Sequence, residues 1–191
     1  GETLDMAQLQ EIWEAKLEPV YPYRKAGPTV EPITGSLTAP AAPKIGVAKP
    51  KVIIPVFPGT NCEYDTAHAF ARAGADPEIL VIRNLTPADV TASCEALVKA
   101  IDNSQIVMLP GGFSGGDEPD GSAKFIASFF RNPAVTEAVR RLLQQRDGLM
   151  LGICNGFQAL IKLGLVPYGD IRPITAYDPT LTFNTIGRHQ S

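Results

Sequence analysis

The chain has 191 residues and a mass of 20.4 kDa, enough for one domain with a real hydrophobic core and an appendage. It is 45% apolar and only 19% charged, with 17 Lys and Arg against 20 Asp and Glu for a net charge of −3. Those figures exclude a charged disordered polymer and argue against a nucleic-acid groove or an anionic-membrane surface. Three cysteines without paired spacing suit a reducing compartment. The most apolar stretch, 148–166, is interrupted by Asn155, Gln158 and Lys162 and does not read as a membrane helix. The start of the chain lacks the charged and apolar regions of a signal peptide. The expectation is a soluble, cytoplasmic protein with neither nucleic-acid nor membrane partner.

In chain order, Leu9, Ile12, Trp13 and Leu17 share one helical face, and Asp5 with Gln8 reads as a capping box. Seven of the 17 prolines then fall between Pro19 and Pro50, without apolar periodicity, so that this stretch reads as an extended linker. The division expected is a helix and Pro-rich linker over 1–50, docking on another domain, and a folded domain over 51–191. From Lys51 onward strands alternate with helices. Val52 to Phe57 is a continuous apolar run, the mark of a strand buried on both faces. Pro58 to Asn61 turns the chain into a helix from Cys62 to Ala73, ending at Gly74. A second strand covers Glu78 to Ile82, and Thr86-Pro87 opens a helix to about Ala100. Ile106 to Leu109 is a third strand, followed by a glycine-rich loop from Pro110 to Gly121. Helices are expected over about Ser122 to Phe130 and Pro133 to Arg146. Leu149 to Ile153 is a fourth strand, Asn155 to Leu163 a helix closed by Gly164, and Leu181 to Ile186 a weaker β pattern. Strand–helix alternation with short connections predicts a flavodoxin-like, doubly wound α/β domain, its parallel sheet covered on both faces. Ligands of such folds sit beyond the carboxyl ends of the strands.

Two segments occupy those ends. Gly152-Ile153-Cys154-Asn155-Gly156 lies at a strand-to-helix junction, where glycines two residues either side of a reactive group permit a nucleophile elbow. The helix starting at Asn155 points N–H groups at the sulfur and favours the nucleophilic thiolate. A buried, inert cysteine is the alternative. Leu109 to Asp117 follows the preceding strand, and acyl chemistry needs two N–H donors aimed at the developing oxyanion. The Asn155 amide can supply one, and a glycine of this loop, Gly112, the other. A plain flexible turn also fits the loop; a phosphate cradle fits less well, lacking the Lys-Ser/Thr of a P-loop and the G-x-G-x-x-G spacing. The acidic run Asp117-Glu118-Pro119-Asp120 has too few spaced ligands for calcium, so no metal site is expected and Asp120 or Ser122 is read as a helix N-cap.

The stretch from Gly152 to Gln158 resembles the G-x-C-x-G-x-Q nucleophile motif of class I (triad-type) glutamine amidotransferases. Phe57 to Glu63, Leu109 to Ser114 with Gly116-Asp117, and the nucleophile stretch through Leu160 are similar to the glutaminase branch found in phosphoribosylformylglycinamidine synthases. The resemblance implies Cys154 as nucleophile toward the glutamine carboxamide, Gly112 and Asn155 as oxyanion hole, and Gln158 as a substrate-binding residue. It implies glutamine as ligand and synthetase domains of the same polypeptide as partner, with 1–50 as the segment leading from them. ATP and magnesium belong to that synthetase part, and no cofactor is expected here. Cys62 matches a family position other than the nucleophile and is read as structural, as is Cys94 on its helix. The family completes its triad with a His-x-Glu beyond the nucleophile, whereas this chain holds His68, flanked by alanines, and His189, with no acid two residues on. The expectation is that the chain stops before the triad is complete and is inactive alone. A stand-alone cysteine-elbow hydrolase and a non-catalytic docking module are the other classes the residues allow.

Overall fold

The computed structural model describes residues 3–20, 46–116 and 123–181. The weak β pattern beyond Leu181, most of the linker, the acidic run and His189 lie outside them. The chain divides into two units, Gly1–Pro40 with Thr182–Ser191, and Ala41–Leu181. In the first, helix α1 spans Met6–Ala15, and the Asp5 carboxylate caps it by accepting from the N–H groups of Ala7 and Gln8. Its apolar stripe is exposed, Trp13 most of all.

The second unit is built on four parallel strands, β1 (Lys51–Val56), β2 (Asp76–Val81), β3 (Ile106–Leu109) and β4 (Leu149–Gly152). Their order, β2-β1-β3-β4, is flavodoxin-like, with its reversal of winding between β1 and β3. Alternation along β1 sends Val52 and Ile54 to one face, where with Met108 they meet α2 (Glu63–Arg72) through Ala67 and Phe70. Ile53, Val107 and Leu109 on the other face pack against α3 (Pro87–Asp102), α4 (Lys124–Phe130), α5 (Pro133–Arg140) and α6 (Asn155–Leu163). Phe57, 2% exposed, anchors that larger core edge-on to Phe125 and Phe129, with ring centroids 5.8 and 5.4 Å away.

Burial on both faces holds over β1 and β3 but not over β4. Register places Leu149 beside Ile106 and Leu151 beside Met108, on the α2 side, and among the described residues Leu149, Leu151 and Ile153 are exposed there. Thr86 and Asp89 form a reciprocal capping box, with Pro87 at the first turn of α3. Gly164, at φ 88°, ends α6 before a short helix α7 (Leu165–Tyr168), absent from the sequence reading. The residue before α4 is Ala123, at φ 64°, not Asp120 or Ser122. The helix expected to run to Arg146 is α-helical only to Arg140 and then widens into a π turn over Arg141–Gln145. Arg146 there donates to the carbonyls of Ile101, Asp102 and Ser104, satisfying the C-terminal end of α3.

Pro55 opens the sheet where a site needs room. Lys51 accepts on the β3 side, from the Gln105 N–H, whereas the Pro50 and Val56 carbonyls accept on the β2 side, from Asp76 and Ile82. By alternation the N–H that Pro55 lacks falls on the β3 side. Pairing of β1 with β3 ends at Ile53–Val107, while β3 stays paired with β4 to its last residue.

Candidate active site

Cys154 stands between β4 and α6 with φ 52° and ψ −109°, a conformation that L-residues avoid. Its neighbours enforce it. A Cβ on Gly152 would lie 2.6 Å from the carbonyl carbon and oxygen of Gly156. A Cβ on Gly156 would lie 2.6 Å from the carbonyl carbon of Leu109. Only glycine lets α6 start this close to β3 and β4, and the Ile153 N–H completes the junction by donating to the Leu109 carbonyl at 3.0 Å. The turn leaves the Cys154 thiol exposed at the first turn of α6, whose N-terminal end stabilises negative charge.

The glycine loop lies against it: a Cβ on Gly111 would touch Cys154 Cβ at 3.3 Å and Sγ at 4.0 Å. The loop is laced to the turn after β1. Asn61 N–H donates to the Gly111 carbonyl at 2.8 Å, Phe113 N–H to Gly59 at 2.8 Å, and Gly115 N–H to Pro58 at 2.7 Å. These bonds restore across the loops the pairing that Pro55 interrupts. Gly112, at φ 116°, faces Thr60 so closely that a Cβ would sit 2.7 Å from Asn61 N. Its own N–H makes no hydrogen bond among the described residues.

The Asn155 side chain, 1% exposed, joins the parts. Its Oδ1 accepts from the Ser114 N–H at 3.2 Å, and its Nδ2 donates to Gln158 Oε1 at 3.0 Å. The structure thus brings together Cys154, Gly112, Asn155 and Gln158. Thr60, Asn61, Gly111 and Ser114 were missed as site residues; the glycines of the Phe57–Glu63 stretch and of the loop hinted at a close approach, but not at which backbone they meet.

His68 is exposed on α2, and His189 lies outside the described residues, as do Asp117, Glu118 and Asp120. Among the described residues no group of His, Cys, Asp and Glu could hold a metal, and no helix is long and apolar enough to cross a membrane. Cys62 is exposed in the left-handed region at φ 68°, capping α2, whereas Cys94 is buried and its thiol is pushed up, first by burial and then by Glu95.

An elbow cysteine over a flavodoxin-like sheet, with a glycine loop against its side chain, does not by itself single out one family. Residues 49–191 match the family of CobB/CobQ-like glutamine amidotransferase domains. The chain belongs to this family. Among similar proteins, the phosphoribosylformylglycinamidine synthase subunit PurQ of Dehalococcoides mccartyi is 35% identical over 144 residues, 75% of this chain and 51% of that protein. The same subunit of Sulfurimonas denitrificans is 40% identical over 118 residues, 61% of this chain and 44% of that protein. The structure of PurLQS from Thermotoga maritima is 28% identical, with a TM-score of 0.43 over 61% of this chain and 45% of that one. This amidotransferase domain therefore spans about half the length of the relatives it matches.

Proposed function

We propose that the chain is the glutaminase part of a phosphoribosylformylglycinamidine synthase. It would hydrolyse glutamine at Cys154 to supply ammonia for the ATP-dependent amidation of formylglycinamide ribonucleotide in purine synthesis. ATP and magnesium would serve the synthetase domains, the partner in this reading. The observation that carries it is the strained Cys154 backbone with Gly111 packed on its side chain.

In this reading the Cys154 thiolate attacks the carboxamide carbon, and the carbonyl electrons move onto oxygen. The oxyanion takes hydrogen bonds from the Gly112 and Asn155 N–H groups. Collapse breaks the C–N bond, the nitrogen gains a proton and leaves as ammonia, and a thioester remains. Water, giving up a proton, then attacks the thioester through a second oxyanion to release glutamate and the thiol. Gln158, one turn along α6 from Cys154, lies on the same helix face and helps hold the substrate.

The proton shuttle is the part these residues do not supply. No His-x-Glu occurs in the 191 residues, and the reading assigns the shuttle to such a pair in a longer polypeptide. The 191 residues alone should then release ammonia several orders of magnitude more slowly than a version extended through that pair.

Alkylation by iodoacetamide, read by peptide mass, tests the nucleophile with an internal control. Cys62 and Cys154 are both exposed at positive φ ahead of a helix, and Gly111 of the glycine loop packs against the Cys154 side chain. Cys154 should label fastest and glutamine should protect it alone. Labelling of Cys154 no faster than Cys62, with no protection, would refute the assignment.

A further inference from the structure

Hydrogen-bond polarity at the elbow runs in one direction, and it defines what Gln158 offers a ligand. The Ser114 backbone N–H can only donate, so the Asn155 atom 3.2 Å from it is the oxygen. The Asn155 amide nitrogen therefore points the other way. Because it too can only donate, the Gln158 atom 3.0 Å from it is Oε1. Reversing Asn155 would set its NH2 against the Ser114 N–H, a donor that cannot turn, at a residue only 1% exposed. What remains of Gln158 is its NH2 group, which makes no hydrogen bond among the described residues. Gln158 is half-buried, and its own N–H donates to the Cys154 carbonyl, one helical turn back, at 3.0 Å.

We propose that the Asn155 carboxamide is a positioning group that locks Gln158 as a hydrogen-bond donor, so that the subsite beside Cys154 selects a carbonyl or carboxylate oxygen of the ligand and disfavours an ammonium group. This rests on the glutaminase reading and adds to the backbone role of Asn155 a side-chain one. The same carboxamide ties the Ser114 end of the glycine loop to α6, so that donor polarity and loop position are set by one residue.

The test is a double-mutant cycle on the native protein, read by saturable labelling of Cys154 with the glutamine analogue 6-diazo-5-oxo-norleucine. Gln158→Met removes the donor and should raise the half-saturating concentration on the order of tenfold. Asn155→Asp keeps an acceptor for Ser114 but turns Gln158 around, so Gln158→Met added to it should change half-saturation by less than about twofold. If Asn155→Asp does not fold, Asn155→Leu serves in its place. It releases Gln158 without reversing it, and should cut the Gln158→Met effect to about threefold. An unchanged, additive effect of Gln158→Met in either background, with saturable labelling of the parent, overturns the positioning role and leaves the glutaminase reading standing. Absence of saturable labelling in the parent overturns that reading, and this one with it.

Discussion

Replacing Gly156 by alanine sets two well-understood effects against each other. Gly156 lies in the first turn of α6, and alanine there gains about 1 kcal/mol of helix propensity. Against this, the new methyl would sit 2.6 Å from the Leu109 carbonyl carbon and 2.8 Å from its Cβ, at the buried end of β3. A carbon–carbon contact needs about 3.5 Å and the Leu109 carbonyl oxygen is nearer still, so helix and strand must part by at least about 0.9 Å. The obstacle is main chain on both sides, with no flexible side chain to yield, so the cost belongs at the upper end of the about 1–3 kcal/mol usual for overpacking. Net destabilisation of about 1–2 kcal/mol follows, a fall in melting temperature of about 2–8 °C for a chain of this size. The same displacement carries Asn155 and Cys154 away from Gly111, and a misplacement near 1 Å can cost about a hundredfold in reaction rate. Urea and thermal unfolding, with Cys154 labelling by 6-diazo-5-oxo-norleucine, measure both consequences. Gly74→Ala is the control: its φ is 90° with nothing within 4 Å of a Cβ, so it should lose stability without slowing the label. A Gly156→Ala protein as stable as its parent and labelled at the same rate would refute the account of the elbow.

Phe57→Ala should cost about 3–5 kcal/mol in urea unfolding, because it vacates the ring on which Phe125 and Phe129 close; a loss under about 1 kcal/mol would mean that the site collapses freely. Asp178 is held well below its ordinary range, first by the Tyr168 hydroxyl and then by the N–H and hydroxyl of Thr175, with Arg172 also in contact. A depressed carboxylate stabilises fully above its unfolded value near 4 and loses that contribution as pH falls toward its folded value. Asp178→Asn should therefore lower stability at pH 7 and flatten its decline below about pH 4, and parallel pH curves for variant and parent would contradict this. Asp170, lowered first by its hydrogen bond from Arg140, should behave in the same direction under Asp170→Asn.

Much of the second unit is written in local pattern. Strand β3 and helix α6 have the bounds their apolar runs and flanking signals predict, Thr86 and Gly164 act as the cap and stop their chemistry dictates, and the glycines flanking Cys154 announced the elbow. Local pattern misled where a distant group sets the geometry. The π turn after Arg140 accompanies the reach of Arg146 to α3, and Ala123 takes a left-handed cap that no side-chain propensity marks.

The sequence by itself determined most of the strands and helices of the second unit, and where an exposed cysteine would be lifted from the sheet. These depend on period, caps and glycine, all readable within a few residues. Tertiary structure alone decided what surrounds that cysteine. Ser114 lies 41 residues from Asn155 along the chain, and Gly111 lies 50 residues from Asn61, yet each pair is joined by a hydrogen bond. Pro55 looked like one more apolar residue in a strand; only the side of β1 facing β3 turns its missing N–H into a gap that the loops close. Hydrogen bonds are directional and apolar burial is not. An apolar pattern can therefore be read along the chain, but which donor meets which acceptor is settled only when the chain has packed.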